Sequence, residues 1–165
     1  MIPHSVTLNL ATTFHSEGQR EIFEDGHQFV VVPAGRRYGK TKGAVDHAME
    51  RQWAREGIRS LWVDTTQVNI DKYWVDYFEP ALRKICPPSE RKKPTLYNWN
   101  KQHKILSLAN QSVMHFGSAE RPENLEGFGY HYMYLNEAGI ILKGDAGYLL
   151  WHKTLLPMTV EHKCR

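Results

Sequence analysis

The stretch from Val30 to Thr41 reads Val-Val-Val-Pro-Ala-Gly-Arg-Arg-Tyr-Gly-Lys-Thr, and the expected fold is built around it. The apolar run Phe29–Val32, which ends at Pro33, predicts a buried strand because aromatic and β-branched residues favour sheets. The residues from Lys42 to Arg55 are compatible with a helix. A strand, a small-residue loop and a helix in this order form the context in which a phosphate-binding loop is credible.

The loop fits the pattern G-x-x-x-x-G-K-[ST], with Ala34 in place of the first glycine. Backbone N–H groups of the loop, which includes Gly35, would form an anion site with the positive end of the following helix. Gly39 lets the backbone approach the phosphates closely. Lys40 is expected to reach the β- and γ-phosphates, and the Thr41 hydroxyl to bind Mg2+. The pattern predicts an ATP site; an ordinary glycine-rich turn before a surface helix is the alternative.

Composition sets broad limits. The 165 residues, 41% hydrophobic and 12% aromatic, agree with one globular domain over residues 1–165. The net charge of +3 permits contact with nucleic acid without arguing for it. Cys86 and Cys164 lie far apart, without zinc spacing or a disulfide framework, which favours a reducing, intracellular setting. No run approaches the length of a transmembrane helix, and Met1–Leu10 lacks the layout of a signal peptide.

A short helix is expected before the loop, with Ser16 as its cap and Gln19 on it. A carboxamide both donates and accepts hydrogen bonds, so Gln19 could bind the N6 and N7 edge of adenine. A solvated helix residue is the ordinary alternative at this position.

Further elements follow the loop. Ser60–Asp64 predicts a second core strand, and Asp71–Lys84 predicts a helix whose aromatic residues belong to the core. Cys86–Pro94 is a basic connector that could touch DNA phosphates or simply be solvated, through Arg91, Lys92 and Lys93. Three short strands are predicted at Tyr97–Trp99, Lys104–Leu108 and Ser112–Gly117.

A mostly apolar strand from Tyr130 ends in Asn136 and Glu137. Ligands of open α/β sheets gather beyond the carboxyl ends of strands, so this pair is a candidate catalytic site. Glu137 would polarise the water that attacks the γ-phosphate. Asn136 stands where an aspartate is usual. Its carbonyl oxygen can accept a hydrogen bond from a metal-bound water but brings no charge, which predicts weaker retention of Mg2+.

Four segments stand in order along the chain: Gly18–Ile22, Ala34–Thr41, Gly117–Gly127 and Tyr134–Ala138. Together they resemble the ATPase domain of the large terminase subunit of tailed bacteriophages, the motor that packages DNA into proheads. The resemblance implies an α/β P-loop NTPase of the additional-strand, catalytic-glutamate type, with a mostly parallel central sheet flanked by helices. It also implies ATP hydrolysis with Mg2+ that drives translocation of double-stranded DNA.

The resemblance also implies roles for particular residues. Gln19 falls at the adenine position, and Glu137 at the catalytic carboxylate. Arg36 and Arg37 match the arginine pair of the family's loop, one of which would neutralise charge at the γ-phosphate. Arg121 is the nearby substitute for a trans-acting arginine, because Glu126 stands where many relatives carry that arginine.

The partners implied by the resemblance are double-stranded DNA, the portal protein, the small terminase subunit and further copies of the chain in a ring, in the host cell cytoplasm and away from membranes. The chain ends soon after Glu137. It is therefore expected to be C-terminally truncated, an N-terminal piece or the product of a shortened reading frame, without a nuclease domain and with weak ATPase activity. The alternatives are another P-loop DNA motor, such as a helicase core, and a non-catalytic terminase remnant.

Overall fold

A computed structural model describes residues 16–85, 96–125 and 129–160. It contains a five-stranded sheet in the order β2-β3-β4-β1-β5. The strands are β1 (Arg59–Asp64), β2 (Tyr97–Asn100), β3 (Ile105–Leu108), β4 (Val113–Ser118) and β5 (Tyr132–Leu135). The three short strands expected between residues 97 and 117 are confirmed. The basic connector Cys86–Pro94 and Glu126 lie outside the described residues.

The sheet is mixed, so the expectation of a mostly parallel sheet is wrong. β1 lies parallel between β4 and β5, whereas β2, β3 and β4 pair antiparallel. Short turns connect β2 to β3 and β3 to β4, and a connection of that length can join only antiparallel neighbours. The parallel half is therefore confined to the strands whose connections include helices.

Helices cover the sheet, and their bounds are α1 (Glu17–Glu24), α2 (Lys40–Ala54), α3 (Gln67–Tyr73), α4 (Glu79–Ile85), α5 (Ala138–Ile141), α6 (Gly144–Leu149) and α7 (Leu156–Val160). A π-helical turn at Trp74–Phe78 joins α3 to α4, and another at Leu150–Leu155 joins α6 to α7. Pro122–Leu125 forms a 3-10 turn. The helices expected at 42–55 and 71–84 are confirmed, each with an earlier start. Within the described ranges, none of these helices combines the length and apolar character needed to cross a membrane.

The core has two parts, one on each face of β1. Alternate residues of a strand point to opposite faces, and Trp62 therefore belongs to one cluster while Leu61 and Val63 belong to the other. The first cluster contains Trp74 and Phe78, which confirms these aromatic residues as core. The second is closed by residues of the last helices, Ile141, Leu150, Leu155 and Met158. Burial on both faces makes β1 the centre of the fold.

The segment Phe29–Val32 does not form a strand, and the expectation of a buried strand there is wrong. Val31 is 84% exposed and Phe29 52% exposed, with the Phe29 ring in edge contact with Trp151. Sheet propensity becomes a strand only when a partner supplies hydrogen bonds. In the described part of the chain, β5 pairs only with β1, and no ladder reaches Phe29–Val32.

The parallel strands β1, β4 and β5 end at the same edge of the sheet. Their last residues are Asp64, Ser118 and Leu135, and the backbone N–H of Asn136 extends the pairing by donating to the Val63 carbonyl at 2.9 Å. Polar side chains that follow these strands are consequently collected at one edge. That edge carries the candidate functional site.

Candidate nucleotide-binding site

The segment Ala34–Gly39, here called the glycine loop, leads directly into α2. Gly39 is the N-cap of α2 in the left-handed conformation, with φ 82°, and it offers no side chain to the first N–H groups of the helix. Arg37 is also left-handed, with φ 64°. Helix N-termini attract anions because their N–H groups are unpaired and the helix dipole is positive there. The glycine loop therefore has the backbone form expected of an anion site.

Lys40 folds back over the glycine loop. Its Nζ donates to the carbonyl oxygen of Ala34 at 2.6 Å and to that of Gly35 at 3.0 Å. These contacts hold the ammonium group at the loop, next to the first turn of α2. Sequence reasoning expected Lys40 to serve phosphates from this position.

The helix α1 contacts the glycine loop and is joined to it by a hydrogen bond. Ser16 caps α1 as expected, accepting a hydrogen bond from the Gln19 backbone N–H at 3.3 Å. Gln19 is buried, and its Nε2 donates to the Tyr38 carbonyl oxygen at 2.7 Å. A Cβ at Gly18 would lie 2.7 Å from the Tyr38 hydroxyl oxygen, so the small residue permits this approach. The structure thus places Gln19 beside the loop with its amide group engaged there.

Thr41 and Asn136 meet although they are far apart in the sequence. Thr41 Oγ1 donates to Asn136 Oδ1 at 3.4 Å across a separation of 95 residues. Farther along α2, His47 Nδ1 and the Tyr134 hydroxyl lie 3.1 Å apart, which ties the helix to β5. Thr41 and Asn136, which the sequence analysis assigned separately to Mg2+, therefore lie next to each other.

Glu137 follows directly and stands exposed in the left-handed conformation, with φ 58° and ψ 42°. This conformation is costly for a residue with a side chain and is found preferentially at functional sites. Its carbonyl oxygen accepts hydrogen bonds from the N–H groups of Ile140 and Ile141, so the strained residue is also the N-cap of α5.

Asp64 lies at the candidate site, although sequence reasoning did not select it. It ends β1, is fully buried, and its Oδ2 accepts a 2.8 Å hydrogen bond from Asn136 Nδ2. Its Oδ1 accepts from the Thr65 N–H at 2.7 Å and from Asn69 Nδ2 at 3.3 Å. The same rule that selected Asn136, a polar residue after a buried strand, would have selected Asp64 as well.

Tyr73 is a second residue that was not anticipated. It lies at the end of α3, half-buried, near the same polar group. Burial raises the pKa of the Tyr73 hydroxyl; a hydrogen bond with Asn136 acts in the lowering direction, and the negative charges of Asp64 and Glu137 act in the raising direction. These influences locate Tyr73 at the strand-end edge, beside Asn136.

The three candidate arginines are exposed. Arg36 and Arg37 lie in the turn of the glycine loop, and Arg121 lies between β4 and the 3-10 turn. Within the described residues, no hydrogen bond or ion pair connects them to Lys40 or Glu137. Their expected roles at the γ-phosphate or in a neighbouring copy remain predictions.

The side chains at the strand-end edge suit a hard cation. Thr41, Asn136 and Asp64 offer hydroxyl, amide and carboxylate oxygens, which are the donors that Mg2+ prefers. The described residues contain no cluster of three or more histidine, cysteine, aspartate or glutamate side chains that could hold a metal by itself. Mg2+ commonly keeps several waters and binds through one or two protein groups plus substrate phosphates, so this small oxygen set fits it.

Searches against protein families and against curated proteins found no match. Among solved structures, the chain is similar to the large terminase ATPase domain of Thermus phage P74-26, with a TM-score of 0.68 at 20% identity over 88% of this chain. An arginine-to-alanine mutant of that domain matches with a TM-score of 0.60 at 20% identity over 79% of this chain and 54% of the mutant chain. The chain spans 60% of the length of the first structure. At the level of fold, the expected resemblance to a phage terminase ATPase domain is confirmed.

Proposed function

We propose that this chain binds and hydrolyses ATP with Mg2+ as the motor domain of a large terminase subunit. The observation that carries the proposal is the contact between Thr41 Oγ1 and Asn136 Oδ1. It joins the end of a glycine loop to the end of a parallel strand, and those two places supply metal ligands in P-loop NTPases. The left-handed Gly39 and the terminase-like fold support the same conclusion.

Each residue then has a defined task. Lys40 exchanges the carbonyl oxygens of Ala34 and Gly35 for phosphate oxygens, which accept stronger hydrogen bonds because they are charged. Thr41 and Asn136 hold Mg2+ directly or through water, and the bound ion supplies positive charge against the phosphates. The N–H groups at the start of α2 bind the β-phosphate.

Glu137 orients the attacking water and takes its proton. The water oxygen adds to the γ-phosphorus, the bond from phosphorus to the β–γ bridging oxygen breaks, and ADP departs with that electron pair. One of Arg36 and Arg37 neutralises the developing charge. Gln19 holds the loop through Tyr38, and the proposal assigns it to the adenine end of the nucleotide.

Calorimetric titration of Mg-ATP into the chain tests the proposal. Saturable binding is expected in the parent chain and is expected to be lost in Lys40→Ala. Lys72→Ala is the matched control, because Lys72 is an exposed lysine in the last turn of α3 and is not part of the glycine loop. Equal binding by Lys40→Ala and the parent chain contradicts the proposed role of the loop.

One observation favours a non-catalytic remnant instead. Phe29–Val32, which leads into the glycine loop, lies outside the sheet, so the loop is not supported by a strand in the described structure. Absence of nucleotide binding in both the parent chain and Lys40→Ala, with both folded by circular dichroism, would select the remnant.

The motor role extends to partners. We infer that the full protein translocates double-stranded DNA as a homo-oligomeric ring, with portal protein and small terminase subunit, in the host cytoplasm. The support is the likeness in fold, and DNA grip would rest on phosphate contacts that are independent of sequence. ATPase stimulation by double-stranded DNA is the expected result in the assembled protein, with Arg121→Ala reducing turnover. Stimulation by single-stranded DNA alone would point to a helicase core.

A further inference from the structure

The Asn136 amide, which also has a hydrogen bond with Tyr73, has a defined orientation because the Asp64 carboxylate and the Thr41 hydroxyl on either side of it differ in chemistry. Asp64 is a carboxylate and can only accept, so the amide must turn its NH2 group toward Asp64 Oδ2, at 2.8 Å. The amide oxygen then necessarily faces Thr41 Oγ1, at 3.4 Å. Oxygen is the atom that a Mg2+ ion, or a water bound to it, requires from this side chain.

Asp64 is itself fixed in place. Its Oδ1 accepts hydrogen bonds from the Thr65 backbone and from Asn69 Nδ2, and Asn69 is held in turn because its N–H donates to the Thr66 cap of α3 at 3.1 Å. The carboxylate is fully buried, and no described lysine, arginine or histidine forms an ion pair with it. Hydrogen bonds from Thr65, Asn69 and Asn136 offset part of the cost of a buried negative charge, and a cation bound nearby would offset more of it.

An aspartate at position 136 would be unfavourable in these surroundings. Its carboxylate would face Asp64 Oδ2 at hydrogen-bond distance, and two like charges at that separation repel strongly when buried. The pair therefore accommodates one negative charge, and the sequence places it on β1 instead of β5. One amide group separates that charge from Thr41.

The geometry points to Asp64 as the carboxylate of the Mg2+ site: it supplies the negative charge that position 136 lacks and orients the Asn136 oxygen toward the metal. Asp64 is a positioning residue, since it acts through Asn136. This inference rests on the proposed function and adds to it the place of the missing charge. On this inference, retention of Mg2+ does not require a charge at position 136, whereas Asn136 considered alone predicts weaker retention.

The test measures the dissociation constant of ATP in excess Mg2+ and in EDTA, and takes the ratio of the two as the Mg2+ enhancement. The variants are Asp64→Asn, Asn136→Asp and the double exchange, with the exposed Asp145→Asn as control. Asp64→Asn is expected to lower the enhancement by about tenfold or more, the size typical of lost outer-shell partners, while the affinity in EDTA is retained. The double exchange is expected to recover most of the enhancement.

Each outcome decides between the two proposals. A parent chain that binds no ATP in either condition overturns the proposed function and this inference together. If ATP binding by the parent chain depends on Mg2+, two results overturn this inference alone. One is an unchanged Mg2+ enhancement in Asp64→Asn. The other is a Mg2+ enhancement in the double exchange that is no larger than in Asn136→Asp. If thermal unfolding shows that Asp64→Asn does not fold, Asn136→Asp is compared with the double exchange instead. The inference then requires the double exchange to bind Mg-ATP more tightly than Asn136→Asp does.

Discussion

Gln19 Nε2 donates a 2.7 Å hydrogen bond to the Tyr38 carbonyl oxygen, and this contact joins α1 to the glycine loop from within the protein, since Gln19 is only 1% exposed. The side chain proposed to face adenine is thus first a structural support of the loop. Gln19 is therefore expected to affect nucleotide binding partly by holding the glycine loop in its conformation.

Substitution of Gln19 tests this support. Gln19→Ala removes the donor and leaves the Tyr38 carbonyl without its side-chain partner, which typically costs about 1–3 kcal/mol of unfolding free energy. Gln19→Glu keeps the shape but points a carboxylate oxygen at a carbonyl oxygen, so an equal or larger loss is expected. Urea denaturation measures both. Unchanged stability in Gln19→Glu would contradict the contact.

The left-handed Gly39 predicts a difference between two glycines of the same loop. Gly39→Ala forces a side chain into φ 82° and is expected to cost about 1 kcal/mol or more. Gly35→Ala is the control, because a Cβ at Gly35 meets nothing within 4 Å and its φ is not in the left-handed region. Thermal unfolding should separate the two variants, and equal melting temperatures would show that Gly39 is not constrained.

Glu137 predicts opposite effects on stability and on hydrolysis. Glu137→Gly relieves a left-handed residue, with φ 58°, a conformation that costs about 1 kcal/mol or more when a Cβ is present, and it is expected to raise the unfolding free energy. Glu137→Gln keeps the strain and removes only the charge. Both variants should lose hydrolysis while still binding ATP. Single-turnover measurements beside urea titrations give the comparison, and retained hydrolysis in Glu137→Gln would remove Glu137 from the mechanism.

The pair His115 and Tyr130 predicts the pH range of stability. Their side chains lie 3.0 Å apart, Nδ1 to hydroxyl oxygen. Burial, with a smaller effect from the positive charge of Arg59, lowers the pKa of His115 below its usual 6.5. The unfolded chain therefore binds more protons near and just below that value, and stability falls as the pH drops through 6.5.

The alkaline limit has the same physical cause, burial, but the pKa shift has the opposite direction. Burial raises the pKa of Tyr130 to about 12 from an ordinary value of 10.0. Between these values the unfolded chain loses its phenolic proton first, so stability decreases as the pH rises above 10. Urea denaturation at a series of pH values measures both effects. Tyr130→Phe should reduce the loss of unfolding free energy above pH 10, and His115→Asn should reduce the loss at acid pH. If either variant keeps the pH dependence of the parent chain, that residue is not its cause.

Much of the secondary structure followed from local pattern. The helix beginning at Lys40, the helix through Trp74 and Phe78, and the short strands between Tyr97 and Ser118 each carry their signal in adjacent residues. The spacing of Gly39, Lys40 and Thr41 likewise marked the candidate site. Secondary-structure propensity and hydrophobic periodicity depend on residues that are close in the chain, so they can be predicted from one sequence.

Asp64 was not recognised because its neighbour in space is distant in sequence. The Asp64–Asn136 contact spans 72 residues and exists because β1 pairs with β5 in one register. A shift of that register by one residue would turn the side chain to the other face of the sheet. A local pattern does not specify that register.

The sequence by itself determined the glycine loop, the helix that follows it and the polar residues that end the last strand, because these depend on neighbours in the chain. Tertiary structure decided that Phe29–Val32 lies outside the sheet, that the sheet is mixed, and that Asp64 stands behind Asn136. The physical reason is that hydrogen bonds between strands and contacts of buried charges are made between distant segments, and only the folded arrangement determines which segments meet.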